Sequence, residues 1–363
     1  MIRSPPVMDA LYRCLLRPLL FRLDPETAHA AALRALPFLP DREVPTGPRL
    51  SSTVAGLEFP NPIGLAAGFD KDGSRAHFLS RLGFGHAEIG TVTPKPQPGN
   101  PKPRLFRIPE KEALLNRMGF NNPGAERAAS TLAFRLAESP RRIPIGVSIG
   151  KQRETEIDEA AGDYLAAAAA VLPVADFLVA NISSPNTPGL RSLEDPERLG
   201  PLLIAVRREV EEGARTLGIR RPPLFVKLSP DLSDGALEEA AGAAGEAGFD
   251  GIVLTNTTAD PSLLEALRLG EGGVSGRPVA ARALEAVRIA GRATGGKLLL
   301  IATGGVFGGE DAYRRIRAGA SLVQVYTALV YEGPGFVRAA LRRLEELLVR
   351  DGFANVAEAV GSE

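Results

Sequence analysis

Short apolar runs alternate with amphipathic helical stretches along most of this chain, beginning near residue 61. The runs are NPIGLAAG (61–68), HAEIGTVT (86–93), PIGVSIG (144–150), FLVANIS (177–183), PLFVKLS (223–229), GIVLTNT (251–257), LLLIATGG (298–305) and LVQVYTA (322–328). Most are nearly continuous in apolar residues rather than alternating, as strands buried on both faces of a parallel sheet require. Helical patterns follow at about 74–82, 121–137, 155–172, 194–217, 233–247, 277–294, 308–318 and 334–349, and Ser233-Asp234 caps one of them. Eight strand–helix units in series predict an α/β fold, a (β/α)8 TIM barrel. A doubly wound sheet fits less well, because no GxGxxG follows the first strand.

Residues 1–45 stand outside that alternation. In MDALYRCLLRPLLFRL, Leu11, Leu15 and Leu19 share one helical face, while Arg13 and Arg17 lie on another. Pro18 kinks this helix or sets its start, and Asp24-Pro25-Glu26 then reads as an N-cap, a proline at N1 and an acidic first turn before TAHAAALRALPFL. The segment either caps the bottom of the barrel or lies as an amphipathic hairpin in a membrane interface. The chain divides at this point into residues 1–45 and a barrel domain over 46–363.

Composition narrows the chemistry. The 363 residues are 44% apolar and 24% charged, with 43 basic against 43 acidic side chains, so no basic field suggests nucleic acid. No apolar window is long enough to span a bilayer, and Arg13, Arg17 and Arg22 interrupt the N-terminal run too often for a secretory signal. One cysteine, Cys14, and three scattered histidines, His29, His77 and His86, argue against disulfides and against a metal centre.

The distinctive side chains fall where the predicted strands end, which in a β/α barrel is the active face. They include Lys71, Thr91, Ser148, Asn181, Lys227, Asn256, Gly304-Gly305 and Tyr326-Thr327. The glycines after strands seven and eight, with GGVSG (272–276) as a flexible strip beside them, suit a phosphate held by backbone N–H groups. Lys227 interrupts an apolar strand and needs a carboxylate or an anionic ligand as partner. Lys71 has Asp70 and Asp72 beside it and can be read as a surface pair; either lysine could be a Schiff-base nucleophile or a point charge. The asparagines Asn116, Asn121, Asn181, Asn186 and Asn256 suit a flat, polar, imide-like ring.

Several long motifs then converge: NPIGLAAGFDKDG, EIGTVTPKPQPGNPKPRLFR, LLNRMGFNNPG, NISSPNTPGLR, VKLSPDLS, TNTT, GGVSGRPV and GASLVQVYT. Together they resemble the dihydroorotate dehydrogenases of class 2, the quinone-dependent, membrane-associated type, over nearly the whole chain. The resemblance implies FMN at the strand C-termini, oxidation of dihydroorotate to orotate in pyrimidine synthesis, and electron transfer to a membrane quinone. It also implies peripheral association with the cytoplasmic side of the cell membrane through residues 1–45.

Carried over by motif, Ala67, Gly68, Lys71, Thr91, Ser148, Asn181, Lys227, Thr255, Gly276, Gly305, Tyr326 and Thr327 would contact FMN. Lys71, Asn116, Arg117, Met118, Gly119, Phe120, Asn181, Asn186, Asn256 and Thr257 would hold the substrate, and Ser184 matches the catalytic base. His29, Arg107 and Tyr326 would lie on the quinone path. Thr187 to Leu193, with Gly189 as hinge, would form a lid. Class 1 relatives carry cysteine at the base position, whereas here the only thiol is Cys14. Ser148 replaces the Asn usual in the family and would lose or lengthen a flavin hydrogen bond, and IATGG replaces the usual GVGG in strand seven.

Overall fold

The computed structural model describes residues 11–138 and 142–363; residues 1–10 of the N-terminal segment lie outside that set. Each of the eight apolar runs becomes a parallel strand, and together they close into one barrel. After a short hairpin, β1 (Ser52–Val54) and β2 (Leu57–Phe59), the barrel strands begin with β3 (Ile63–Leu65) and β4 (His86–Val92). A second hairpin, β5 (Leu105–Ile108) and β6 (Ala113–Asn116), precedes β7 (Ile145–Ile149), β8 (Phe177–Asn181), β9 (Leu224–Leu228) and β10 (Gly251–Leu254). A short strand, β11 (Gly273–Gly276), intervenes before β12 (Leu299–Thr303) and β13 (Leu322–Val325). Closure is completed where β13 pairs with β3, Val323 opposite Ile63 and Val325 opposite Leu65.

Seven of the expected helical stretches are α-helices: Ala125–Glu138, Ala160–Val171, Pro196–Leu217, Asp234–Glu246, Ala280–Thr294, Gly309–Arg317 and Phe336–Arg350. The eighth, Ala76–Leu82, is a 3-10 helix. Ser233 caps Asp234–Glu246 through the Ala236 N–H, as expected.

The two ends of the barrel differ in chemistry. At the N-terminal end, Val54 and Phe59 from the β1–β2 hairpin pack with Phe177, Val179, Phe225, Val253, Ile301 and Leu322 into a dry plug. At the C-terminal end, β5, β6 and β11 form a three-stranded antiparallel sheet that roofs the mouth. The GGVSG stretch, expected as a flexible strip, is therefore largely a strand, with Gly273 opposite Asn116 and Gly276 opposite Ala113. Glycine suits it because a Cβ on Gly276 would lie 2.3 Å from the Glu112 carbonyl oxygen.

The N-terminal segment does not cap the bottom. Tyr12 donates to the Val330 carbonyl and Arg17 to that of Tyr331, while Glu26 binds Lys102 and Arg104. All these partners belong to the C-terminal face. Asp24 is the N-cap of Pro25–Ala35, as expected, and Pro18 sits in the first turn of the helix Arg17–Phe21, setting its start. No helix among the described residues is long and apolar enough to cross a membrane.

Tight packing at the plug gives a test of the fold. A Cβ on Gly146 would come within 2.1 Å of the Phe177 ring, which itself packs edge-on against Phe225. Gly146→Ala should therefore destabilise the barrel by about 1–3 kcal/mol, read as a lower urea midpoint. An unchanged midpoint would refute this packing.

Candidate active site

A deep cleft opens between the strand C-termini and the roof, with about 1180 Å³ free of atoms, part of it open to solvent. That is room for a cofactor beside a small substrate. Its wall includes Ala67, Gly68, Lys71, Thr91, Asn116, Met118, Gly119, Phe120, Asn181, Ser184, Asn186, Lys227, Thr255, Asn256, Thr257, Gly276, Gly305, Tyr326 and Thr327. Residues from opposite ends of the barrel sequence thus meet in one place, because parallel strands all end on the same face.

The polar groups form a connected network. Ser148 and Thr91 hydroxyls lie 3.0 Å apart; Asn181 Nδ2 donates to Thr91 Oγ1 at 2.8 Å. Asn256 Nδ2 donates both to Asn181 Oδ1 and to Ser183 Oγ at 3.0 Å, and Ser183 in turn donates to the Lys227 carbonyl. Across the cleft, Asn186 Nδ2 donates to Asn116 Oδ1 at 2.9 Å, and Asn116 to the Gly273 carbonyl of the roof. The amides orient one another through these hydrogen bonds, which limits the reorganisation that binding requires.

Ser184 is buried on the wall, its Oγ accepting from the Asn186 N–H at 3.3 Å. The loop that carries it is pinned. Arg191 donates to the carbonyls of Ser183 and Thr257 and pairs with Asp231 at 2.7 Å, while Leu190 and Leu193 are buried. Gly189 takes φ +68° with open space around it. Thr187 to Leu193, expected as a lid, is thus held down by these contacts, and none of its residues is among those lining the cleft.

The two lysines differ. Lys227 is 5% exposed, and its only ionic partner among the described residues is Glu88 Oε1 at 4.0 Å. Glu88 is itself buried and accepts from Gln324 Nε2 at 2.9 Å. A buried ammonium with so distant a counterion has donors free for a ligand in the cleft. Lys71 is not a surface pair: Asp70 turns to the Arg75 N–H and Asp72 to the Ser74 N–H. Lys71 reaches instead to Asn121 Oδ1 at 2.5 Å. Burial and the Arg104 charge, against a weaker pull from Glu26, hold its pKa down to about 7.

Beyond the lysines, the cleft narrows to a glycine cradle. Gly276, Gly304 and Gly305 all have positive φ, and a Cβ on Gly305 would stand 2.4 Å from that of Ala280. The Thr255 hydroxyl is buried there without a partner, and Thr327 shares a 2.8 Å hydrogen bond with Ser275. Bare backbone, an unpartnered hydroxyl and an unsatisfied ammonium at the other end fit a phosphorylated, flat, hydrogen-bonding cofactor.

A second cavity, lined by Glu26, His29, Leu33, Phe69, Met118 and Tyr326 among others, lies beneath the helix Pro25–Ala35 and shares Gly68, Lys71 and Tyr326 with the first. Phe69 packs edge-on against both His29 (4.8 Å) and Tyr326 (6.1 Å). His29 Nε2 lies 2.8 Å from the Phe69 carbonyl. Burial, with Lys71 nearby, pulls its pKa down to about 4, so the ring is neutral near pH 7. Arg107 sits farther out, over the Phe21 ring and donating to the Leu23 carbonyl.

Two expected contacts lie off the wall. Ser148 is fully buried behind Thr91 and reaches the cleft only through that hydroxyl. Arg117 turns outward, stacking on Phe106 and donating to the Glu271 carbonyl. Conversely, Glu88, Gln324 and Phe69 belong to the site although the sequence reading does not single them out. Glu88 and Gln324 carry the same signal as Lys227, a polar side chain inside a buried strand; Phe69 carries none.

The model for the family described as dihydroorotate dehydrogenase matches residues 49–348. A Thermobifida fusca protein named dihydroorotate dehydrogenase (quinone) is 48% identical, over 97% of this chain and 96% of its own. An Anaeromyxobacter protein of the same name is 50% identical, over 96% of each. The crystal structure of the Eimeria tenella enzyme in complex with ferulenol superposes with a TM-score of 0.88 at 39% identity, over 93% of this chain and 95% of that one. The chain belongs to the dihydroorotate dehydrogenases, a flavin-dependent oxidoreductase family, within their quinone-dependent class.

Proposed function

We propose that this chain oxidises dihydroorotate to orotate, a step of pyrimidine synthesis, with FMN as the bound flavin and a membrane quinone as final acceptor. The observation that carries this reading is the single cleft in which Ser184, the asparagine network and two lysines stand against a glycine cradle. When bound, FMN supplies the redox chemistry, accepting a hydride from substrate C6 and delivering electrons to the quinone.

The chain's own residues do the rest. Gly276, Gly304, Gly305 and Thr327 hold the phosphate; Thr91, Asn181, Lys227 and Thr255 hold the ring system. Lys227, buried with its nearest carboxylate 4.0 Å away, would hold negative charge on a bound ring system, and the low-dielectric plug beneath it would keep that interaction strong. Lys71 pairs with the substrate carboxylate, while Asn116, Asn186, Asn256 and Thr257 read the ring's amide and imide groups. Ser184 Oγ takes the C5 proton as its own hydroxyl proton passes to a water in the solvent-open part of the cleft, and Arg191 pins the loop that carries Ser184.

Residues 1–45 form the membrane and quinone segment, and 46–363 the FMN-binding catalytic barrel. Leu11, Leu15, Leu16, Leu19 and Leu23 are exposed on the first helices, and Phe38 is 87% exposed on the turn that follows. The same segment lines the cavity that runs past His29 to Tyr326, through Glu26, His29 and Leu33, and this gives a quinone a route from the segment to the flavin. The neutral imidazole of His29 suits such a route.

Three outcomes test the reading. Ser184→Ala should keep bound flavin yet slow its reduction by dihydroorotate by about 100-fold or more; equal stopped-flow rates would remove Ser184 from the base role. Below about pH 7 the Lys71 amine is charged in the free protein, and above it the charge is lost. Orotate affinity should therefore be level on the acid side and fall by up to about tenfold per pH unit above pH 7, with Lys71→Met abolishing that slope. A level affinity from about pH 6 to 9 in wild type would count against Lys71 as the carboxylate partner. Finally, Leu15→Glu with Leu19→Glu should release the chain from anionic vesicles in a flotation assay while leaving flavin reduction by dihydroorotate intact. Continued flotation would sink the membrane reading of this patch.

A further inference from the structure

Arg315, on the helix Gly309–Arg317, is only 2% exposed, which places it among the largest fully buried side chains of the protein. Among the described residues it has no carboxylate within ion-pair distance. The nearest acid, Asp311, spends its carboxylate on the Phe307 N–H and on Arg314. Arg315 instead donates only to carbonyls: Gly304 at 2.6 Å, Ala280 at 3.3 Å and Asp311 at 3.1 Å, while its Nε is buried with no partner. Burial lowers its pKa to about 10, which leaves it charged near neutrality. A buried cation with no direct ion pair, offset only at a distance by the Asp311 charge, is costly, and a side chain with only a packing role would be better apolar.

Its position accounts for the charge. Gly304 and Gly305 form the wall of the cleft at the glycine cradle, and Arg315 stands on the opposite side of that backbone. In a trans peptide the carbonyl and the following N–H point in opposite directions. Drawing the Gly304 carbonyl back toward Arg315 therefore turns the Gly305 N–H toward the cleft. The second donation, to Ala280, ties this loop to the start of the helix Ala280–Thr294, against which Gly305 is packed too closely for any Cβ.

We infer that Arg315 is a positioning residue for the cofactor phosphate: it aims the Gly304–Gly305 backbone at the dianion and supplies, from behind that backbone, the unshared positive charge that the phosphate neutralises. The inference rests on the FMN reading above and adds to it a residue outside the cleft. With the phosphate bound, the buried guanidinium gains its counterion through one peptide unit, in a medium that screens little.

FMN and riboflavin separate this role from a purely structural one, since they differ only in the phosphate. Full-length chain stripped of flavin is titrated with each ligand, following quenching of flavin fluorescence. Wild type should bind FMN more tightly than riboflavin. Arg315→Gln should lose about tenfold or more in FMN affinity while riboflavin affinity moves by less than about threefold, and Arg315→Lys, which keeps the charge, should retain the preference for FMN within about threefold. Equal weakening of both ligands, or an FMN preference unchanged in Arg315→Gln, would overturn the role of Arg315 and leave the FMN reading standing. A wild-type chain with no preference for FMN would overturn the FMN reading itself. If Arg315→Gln does not fold, Arg315→Lys decides: a retained preference supports the charge role and a lost one overturns it.

Discussion

The pairing of Val323–Val325 with Ile63–Leu65 joins the last barrel strand to the first, and every other feature of the site depends on it. Without that seam, β13 and β3 would each present an open edge, and Tyr326, Thr327 and Gln324 would lie far from Gly68, Lys71 and Glu88. With it, all eight strands deliver their C-terminal residues to one ring. The hydrogen bond from Gln324 to Glu88 crosses the region of the seam, and β3 passes between them with Gly64 opposite Gln324. Closure therefore sets both the backbone of the barrel and the polar floor of its mouth.

The barrel is polarised along its axis by what fills it. At the bottom, Phe59, Phe177, Phe225 and their neighbours exclude water. Toward the top stand Glu88, Lys227, Asn181 and Gln324, all buried, where charges interact strongly because little solvent screens them. The roof of β5, β6 and β11 covers the cleft from above. The helix Pro25–Ala35 covers a separate approach. Two cavities thus reach the same lining residues, Gly68, Lys71 and Tyr326, from different sides.

Much of this architecture is legible in the sequence. The eight strands can be read because buried parallel strands are continuous in apolar residues. Lys227 stands out because an ammonium in such a run needs a reason. Other elements leave weaker traces. The strands β1, β2, β5 and β6 form hairpins outside the strand–helix alternation, so the pattern that marks the barrel strands does not reach them. β11 is rich in glycine and depends on pairing with β6, which lies far earlier in the chain. Glu88 and Gln324 each interrupt an apolar strand as Lys227 does, and the same argument applied to them points to the floor of the site. The N-terminal segment is recognisable as amphipathic, yet its docking on the C-terminal face depends on contacts such as Tyr12 with Val330 and Glu26 with Arg104.

The sequence by itself determined the chemical inventory and the end of the barrel to which it belongs, because strand order and polarity follow from local pattern. It also carried the motifs that mark the family. Only the tertiary structure decided direction and partnership: that Lys71 turns from its neighbouring aspartates to Asn121, that Ser148 stands behind Thr91, that Arg117 faces outward and that Arg315 backs the glycine cradle. Those outcomes depend on which distant backbone closes over each side chain. Local sequence constrains a side chain's strand and register, but its surroundings are contributed by residues far away in the chain.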